Sequence, residues 1–269
     1  ALAPGNGFAL YARAQLRMLT TDANHVAEIR AALARPVMPV REAIPAWFAL
    51  AKELEDLGDW DESFAALQKG NRLKRSTLHY DVAADITAMR NVCATFDARQ
   101  FERLERVDAD ASRTIFIVGM PRTGTTLLER ILASHSAIES VGETVDFPIL
   151  MTQEASRAHE LLGMGDSSLL AAATRIDWSR LGSRYLAAVR ELSDRPYTLD
   201  KLPFNFRYCG LLHKALPGAR ILHVRRHPLD TCYAVFKSLF EGAYHFSYQL
   251  DELAEYYVAY RRTMDHWHA

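Results

Sequence analysis

Residues 114–132 read Thr114-Ile115-Phe116-Ile117-Val118-Gly119-Met120-Pro121-Arg122-Thr123-Gly124-Thr125-Thr126-Leu127-Leu128-Glu129-Arg130-Ile131-Leu132. An apolar, β-rich run enters a turn of glycine and hydroxyl residues, and an amphipathic helical pattern leaves it. That order predicts a phosphate cradle, in which backbone N–H groups and a helix N-terminus converge on an anion. Residues 119–126 nearly fit G-x-x-x-x-G-K-[ST], but the lysine position holds Thr125 and the local cation is Arg122. A loop without the lysine that reaches β- and γ-phosphates is poorly equipped for ATP hydrolysis. It remains equipped to grip a phosphate or sulfate with amides, hydroxyls and one guanidinium.

Outward from this stretch the texture stays α/β. A strand is expected over 115–118 and a helix over 126–134. A second short strand over 137–141 ends at Gly142-Glu143-Thr144, and 151–193 is mostly helical. Tyr197–Asp200 reads as a strand running into Lys201-Leu202-Pro203-Phe204. Residues 212–216 read as a short helix, 220–224 as a strand running into Arg225-Arg226-His227-Pro228, and 229–240 as helix again. Strands alternating with helices predict a parallel sheet flanked by helices, so the fold class is α/β and phosphate-loop-like. In such sheets ligands gather beyond the carboxyl ends of strands. The loop, Glu143, Lys201 and Arg226 each follow a strand directly.

The upstream part differs. Residues 8–34 carry helical spacing (Leu16, Leu19, Ile29, Leu33), which Pro36 and Pro39 interrupt. Trp47, Leu50, Ala51, Leu54, Gly58, Trp60, Ser63, Leu67 and Gly70 then fall at the spacings of a tetratricopeptide repeat at about 44–77. Leu50 and Leu54 stripe the first helix, Gly58-Asp59 turns the chain, and Trp60, Phe64 and Leu67 stripe the second. A plain helical hairpin accounts for these residues equally well, because solenoids need three or more repeats. The expected organisation is an all-helical segment over 1–112 and an α/β domain over 113–269.

Composition narrows the classes. The 269 residues are 49% apolar and 24% charged with a formal net charge of −1, so no global basic field argues for nucleic acid. Cys93, Cys209 and Cys232 are scattered, with neither disulfide nor metal spacing, and a reducing, cytoplasmic setting is expected. No stretch is long and apolar enough to span a bilayer. The chain opens with Ala1 and closes in a polar helical run over 256–269, so a fragment of a longer protein is expected.

Taken together, Val118 to Thr126, Gly142-Glu143-Thr144, Asp200-Lys201-Leu202-Pro203-Phe204 and His223 to Asp230 resemble the sulfotransferases that use 3′-phosphoadenosine-5′-phosphosulfate (PAPS). The likeness is nearest to bacterial tetratricopeptide-repeat and tyrosylprotein sulfotransferases. The resemblance implies that Arg122, Thr123, Gly124, Thr125 and Thr126 hold the 5′-phosphosulfate, with Arg122 facing the sulfuryl group. It implies that Glu143 is the general base for the acceptor hydroxyl, sheltered by Phe147 and Pro148. It further implies that Lys201 stabilises charge on the leaving phosphate and that Arg226 binds the 3′-phosphate. The plain alternatives are a Thr-capped turn at 122–126, a capping or paired carboxylate at Glu143, an ion pair of Lys201 with Asp200, and arginines decorating a strand end.

Two departures stand out. The family has a serine eight residues after this arginine, where the chain has Ala234, with Ser238 one helical turn on. The family also continues with strands beyond the equivalent of Ala269, so the domain is expected to be C-terminally incomplete. The acceptor class left open is a peptide tyrosine, a saccharide or a small phenol, and the helical repeat could hold a peptide or protein partner. No metal is expected, since His223 and His227 do not share a helix face. Competing functions are a small kinase or NTPase with a degenerate loop, and a non-catalytic helical-repeat interaction protein. The aromatic residues Tyr244, Phe246, Tyr248, Tyr256, Tyr257 and Tyr260 are expected in core and helix faces.

Overall fold

A computed structural model describes residues 5–102, 111–165 and 168–269. The part of the helical segment over 71–112 that falls at 103–110 lies outside the described residues, as do positions 166 and 167 of the helical stretch over 151–193. Among the described residues the helices are α1 (Gly7–Gln15), α2 (Val26–Leu33), α3 (Val40–Asp56), α4 (Trp60–Ser76), α5 (Val82–Thr95), α6 (Thr125–Ala133), α7 (Asp146–Leu161), α8 (Leu169–Ala173), α9 (Trp178–Arg190), α10 (Cys209–Ala215), α11 (Pro228–Phe236) and α12 (Leu250–His268). The strands are β1 (Thr114–Gly119), β2 (Ile138–Gly142), β3 (Tyr197–Asp200) and β4 (Arg220–Val224). No helix among the described residues is long and apolar enough to cross a membrane.

The chain divides into two compact units, residues 1–82 with 232–256, and residues 83–231 with 257–269. The second holds the sheet, which is wholly parallel with strand order β2-β3-β1-β4. β1 is central because it is apolar on both faces from Ile115 to Val118 and all six of its residues are buried. Its alternation assigns the faces. Ile115 and Ile117 join Leu199, Leu128 and Leu132 on one side. Phe116 meets Tyr185 of α9 on the other, with ring centroids 5.5 Å apart, and Phe147 packs on the same Tyr185 at 5.9 Å. The C-terminal half of α12 belongs to this unit. Tyr260 stands edge-on to Phe206 at 4.9 Å, and the Trp267 indole donates to the Phe206 carbonyl at 3.0 Å.

In the first unit, α3 and α4 form a helical hairpin. Ala51, Leu54, Ala66 and Leu67 are buried, and the Ser63 hydroxyl donates to the Ala51 carbonyl at 2.7 Å. The expected stripe on α4 is shifted. Trp60 opens the helix 62% exposed and Phe64 is also exposed, whereas Ser63, Ala66, Leu67, Gly70 and Asn71 form the buried face. Small and polar residues occupy that face because α3 approaches closely. Leu16 also departs from the pattern. It caps α1 and is 81% exposed, since the chain breaks into a bridge between Thr20 and Ala23 before α2. Helix α11 ends at Phe236, four residues before the expected limit. There the Ser238 hydroxyl donates to the Ala234 carbonyl at 2.8 Å. Among the aromatic residues, Phe246 stacks on Tyr256 with centroids 3.6 Å apart in this first unit, and Tyr260 is core in the second.

Candidate active site

Because all four strands run in one direction, their carboxyl ends share one edge. The strand order sets the sequence of features along it: Glu143 after β2, Lys201 after β3, the loop over 120–124 after β1, and Arg226 after β4. All lie in the sheet-bearing unit.

The loop is shaped by its backbone. Gly119 has φ 150° and pairs with Val224, and a Cβ there would stand 2.6 Å from the Val224 carbonyl oxygen. Only glycine lets β4 approach so closely. Arg122 adopts φ 65°, a left-handed conformation costing about 1 kcal/mol or more for a residue with a Cβ. Gly124 follows with φ 106° and caps α6 without a side-chain hydrogen bond; a Cβ at that position would meet nothing within 4 Å. The first intrahelical bond of α6 runs from the Leu128 N–H to the Gly124 carbonyl at 3.0 Å. The amides of Thr125, Thr126 and Leu127 therefore have no partner inside the helix and point out of its N-terminus, where the helix dipole favours an anion. Thr123 turns inward instead, its buried hydroxyl donating to the Met120 carbonyl at 2.8 Å. Thr125 is buried in the first turn, while Arg122 and Thr126 are exposed.

Lys201 and Glu143 meet directly: the ammonium donates to Glu143 Oε1. The lysine side chain is only 8% exposed, whereas Glu143 is 49% exposed. At that exposure Glu143 is not closed off from water, whatever Phe147 and Pro148 contribute; the Phe147 ring packs on Tyr185 and Tyr208. The ion pair of Lys201 with Asp200 does not form. Residues 200 and 201 point to opposite sides, and Asp200 accepts from the Tyr185 hydroxyl at 2.8 Å beneath the sheet. Burial pushes the Asp200 carboxyl up to about 7 despite the Tyr185 hydrogen bond, and the Asp146 and Glu143 charges add to the rise. Burial, with Asp200 beside it, likewise pushes the Tyr185 phenol well above its ordinary range.

The sequence reading missed Glu129. This α6 carboxylate stands 3.6 Å from the Lys201 ammonium and accepts from the Ser140 hydroxyl at 2.5 Å. The only signal available was an acidic residue one helical turn after Thr125. Arg226 is separate from this cluster. Its guanidinium pairs with Asp230 at 3.5 Å, both side chains about half exposed, so the pair is weak and solvent-screened. His223 faces Tyr260, whose hydroxyl lies 2.5 Å from Nε2. Burial, His268, Arg225 and Arg261 hold the imidazole down to about 4.

The edge thus offers uncapped amides at a helix N-terminus, flanked by an ammonium on one side and two exposed arginines on the other. Beside the ammonium stands a half-exposed carboxylate able to accept a proton. This is an arrangement for gripping a polyanion and moving a negatively charged group. Among known proteins, an uncharacterized protein of Aquifex aeolicus (strain VF5) is 32% identical over 240 residues, covering 87% of this chain. The chain spans 31% of that protein's length. The profile described as the sulfotransferase family matches residues 114–269, the stretch containing every strand, the loop, Glu143, Lys201 and Arg226. That match covers more than half of the chain, which therefore belongs to the sulfotransferase family.

Proposed function

We propose that the chain transfers a sulfuryl group from PAPS to an acceptor hydroxyl, carried by a peptide tyrosine, a saccharide or a small phenol. The observation that carries this reading is the Lys201–Glu143 pair next to the uncapped N-terminus of α6, with arginines on the far side of the loop. The residues fit the donor: the turn with positive φ at Arg122 and Gly124 leaves open space at the uncapped N-terminus of α6, and Arg122 beside it is exposed. The donor supplies a sulfuryl group on a nucleotide leaving group. The acceptor oxygen–sulfur bond forms as the sulfur–oxygen bond to the 5′-phosphate breaks, and the electron pair goes to the phosphate oxygen.

The side chains take distinct parts. Glu143 accepts the acceptor's proton, and its exposure leaves it open to an incoming hydroxyl. Before it can do so it must release Lys201. The freed ammonium, together with Arg122 and the amides of Thr123 to Thr126, neutralises charge that builds on the sulfuryl and phosphate oxygens. Arg226 exchanges Asp230 for the 3′-phosphate, a group that ATP lacks and that a guanidinium binds bidentately.

The test is calorimetry and turnover on one preparation. Adenosine-3′,5′-bisphosphate binds and ATP with Mg²⁺ does not; the opposite preference refutes the donor assignment and favours a kinase. Glu143→Gln lowers sulfuryl transfer by about 10²–10⁴-fold with bisphosphate affinity kept. Undiminished transfer assigns the base elsewhere.

A further inference from the structure

We infer that Glu129 is a positioning residue: anchored by Ser140, it holds the Lys201 ammonium at the sheet edge and remains its counter-ion when Glu143 takes up a proton. The inference deepens the sulfuryl-transfer reading and rests on it for the identity of the proton.

The geometry forms a closed circuit. The Lys201 N–H donates to the Gly142 carbonyl at 2.9 Å. The Gly142 N–H donates to the Ser140 hydroxyl oxygen at 3.1 Å. The Ser140 hydroxyl donates to Glu129 Oε1 at 2.5 Å, and Glu129 Oε2 stands 3.6 Å from the Lys201 ammonium. The register of β2 on β3 shifts between Ser140 and Gly142. Such a bulge re-aims a side chain beside a site, and here it sets the Ser140 hydroxyl against both Glu129 and the Gly142 amide.

Exposure separates the two carboxylates. Glu129 is 15% exposed and tied down to Ser140, and Glu143 is 49% exposed and paired with the lysine. An ammonium as buried as Lys201 needs a counter-ion, because an unpaired charge in a poorly solvated site is costly. Once Glu143 is protonated it no longer serves. Glu129 then balances the lysine without competing for the acceptor's proton, since its own oxygens are committed to Ser140 and Lys201. The same negative charge acts against an incoming anion, which must share the ammonium with it. Glu129 therefore trades donor affinity for a lysine that stays charged and in place.

This gives a signature that loss of structure would not give. In Glu129→Gln, which keeps the shape and the acceptor for Ser140, the ammonium is shared by one carboxylate instead of two. Calorimetry should show adenosine-3′,5′-bisphosphate, and inorganic pyrophosphate as a simpler probe, binding tighter by about three- to thirtyfold. Turnover should fall by about tenfold or more, because Glu143 becomes the lysine's sole counter-ion and gives up that contact less readily. Glu129→Asp, which restores the charge, should return both quantities toward the parent values. Ser140→Ala keeps every charge but frees Glu129 to swing out, and should move both in the same directions by less; it serves if Glu129→Gln does not fold. Weaker or unchanged anion binding in both variants overturns the inference. Parent protein that binds pyrophosphate but not the bisphosphate refutes the donor reading, and the variants then judge Glu129 with pyrophosphate alone. Binding of neither probe overturns both.

Discussion

The two loop glycines should fail in different ways when each is replaced by alanine. Both have positive φ, 150° at Gly119 and 106° at Gly124, so each alanine carries backbone strain of about 1–3 kcal/mol. Only at Gly119 does the added methyl also strike something. It would stand 2.6 Å from the Val224 carbonyl oxygen, a main-chain atom paired in the β1–β4 ladder that cannot rotate away. Relief requires the central strand and its neighbour to separate, an overpacking cost of about 1–3 kcal/mol more. At Gly124 the methyl meets nothing within 4 Å. With about 2–4 °C of melting temperature per kcal/mol for a domain of this size, Gly119→Ala should melt about 5 °C below Gly124→Ala. In anion binding the order reverses. The Gly124 methyl enters the open space at the N-terminus of α6, and calorimetry with the bisphosphate should show the larger loss there, about tenfold or more. Circular-dichroism melts and titrations of both variants give the comparison. Equal melting temperatures would mean that β4 does not press on Gly119. Intact bisphosphate binding by a folded Gly124→Ala would mean that the helix N-terminus is not where the anion sits.

Arg226→Ala should weaken bisphosphate binding by about 10–150-fold, the loss of one charge-assisted contact, as read by calorimetry. Its melting temperature should stay within about 2 °C of the parent, because the pair with Asp230 is half exposed. Equal affinity would remove Arg226 from the 3′-phosphate. Asp200 gives a pH effect with a definite sign: its folded value of about 7 lies above the ordinary 3.8, so the folded protein keeps a proton that the unfolded chain releases between those limits. Folding stability from this group therefore falls as pH rises from about 4 to 7, by up to about 4 kcal/mol. Denaturant titrations should show that slope flattened in Asp200→Asn, and an unchanged slope would mean the carboxyl is ionised when folded. In the helical unit, Ser63→Ala removes the hydroxyl that donates to the Ala51 carbonyl. It should cost about 1 kcal/mol in a thermal melt, and a neutral result would mean water replaces the hydroxyl.

The parallel sheet was legible because β1 is apolar from Ile115 to Val118 and the remaining strands run into Glu143, Lys201 and Arg225 where the chain turns. Equivalent strand ends then bring Glu143, the loop, Lys201 and Arg226 to one edge whatever the details of packing. What periodicity could not supply is the partner of each charge. Glu129 reads as one acidic position on an amphipathic helix, and nothing in its spacing says that a bulge in the next strand, β2, presents a hydroxyl to it. Trp60 and Leu16 fail for a related reason. Apolar spacing states which residues could share a face but not where a neighbouring helix comes close enough to cover it, and close approach favours the small residues Ser63, Ala66 and Gly70 over large rings.

Asp200 and Lys201 show how a strand end can supply two unlike environments from adjacent residues. Successive side chains point to opposite faces, so a charge reversal between neighbours becomes a separation across the sheet. Asp200 goes beneath, where the Tyr185 hydroxyl and the Leu202 backbone meet it and burial favours its protonated form. Lys201 goes to the edge between Glu129 and Glu143. Were the aspartate ionised and close to the ammonium, it would be a third carboxylate competing with any anionic ligand. Sent to the far face and with its carboxyl pushed up to about 7, it is ionised less than an ordinary aspartate and weakens the site's positive charge less. The Asp-Lys order at the end of β3 is thus more than an ion pair written in sequence. It keeps one carboxyl out of the lysine's reach and leaves the exchange between Glu143 and an incoming anion to decide where that ammonium goes.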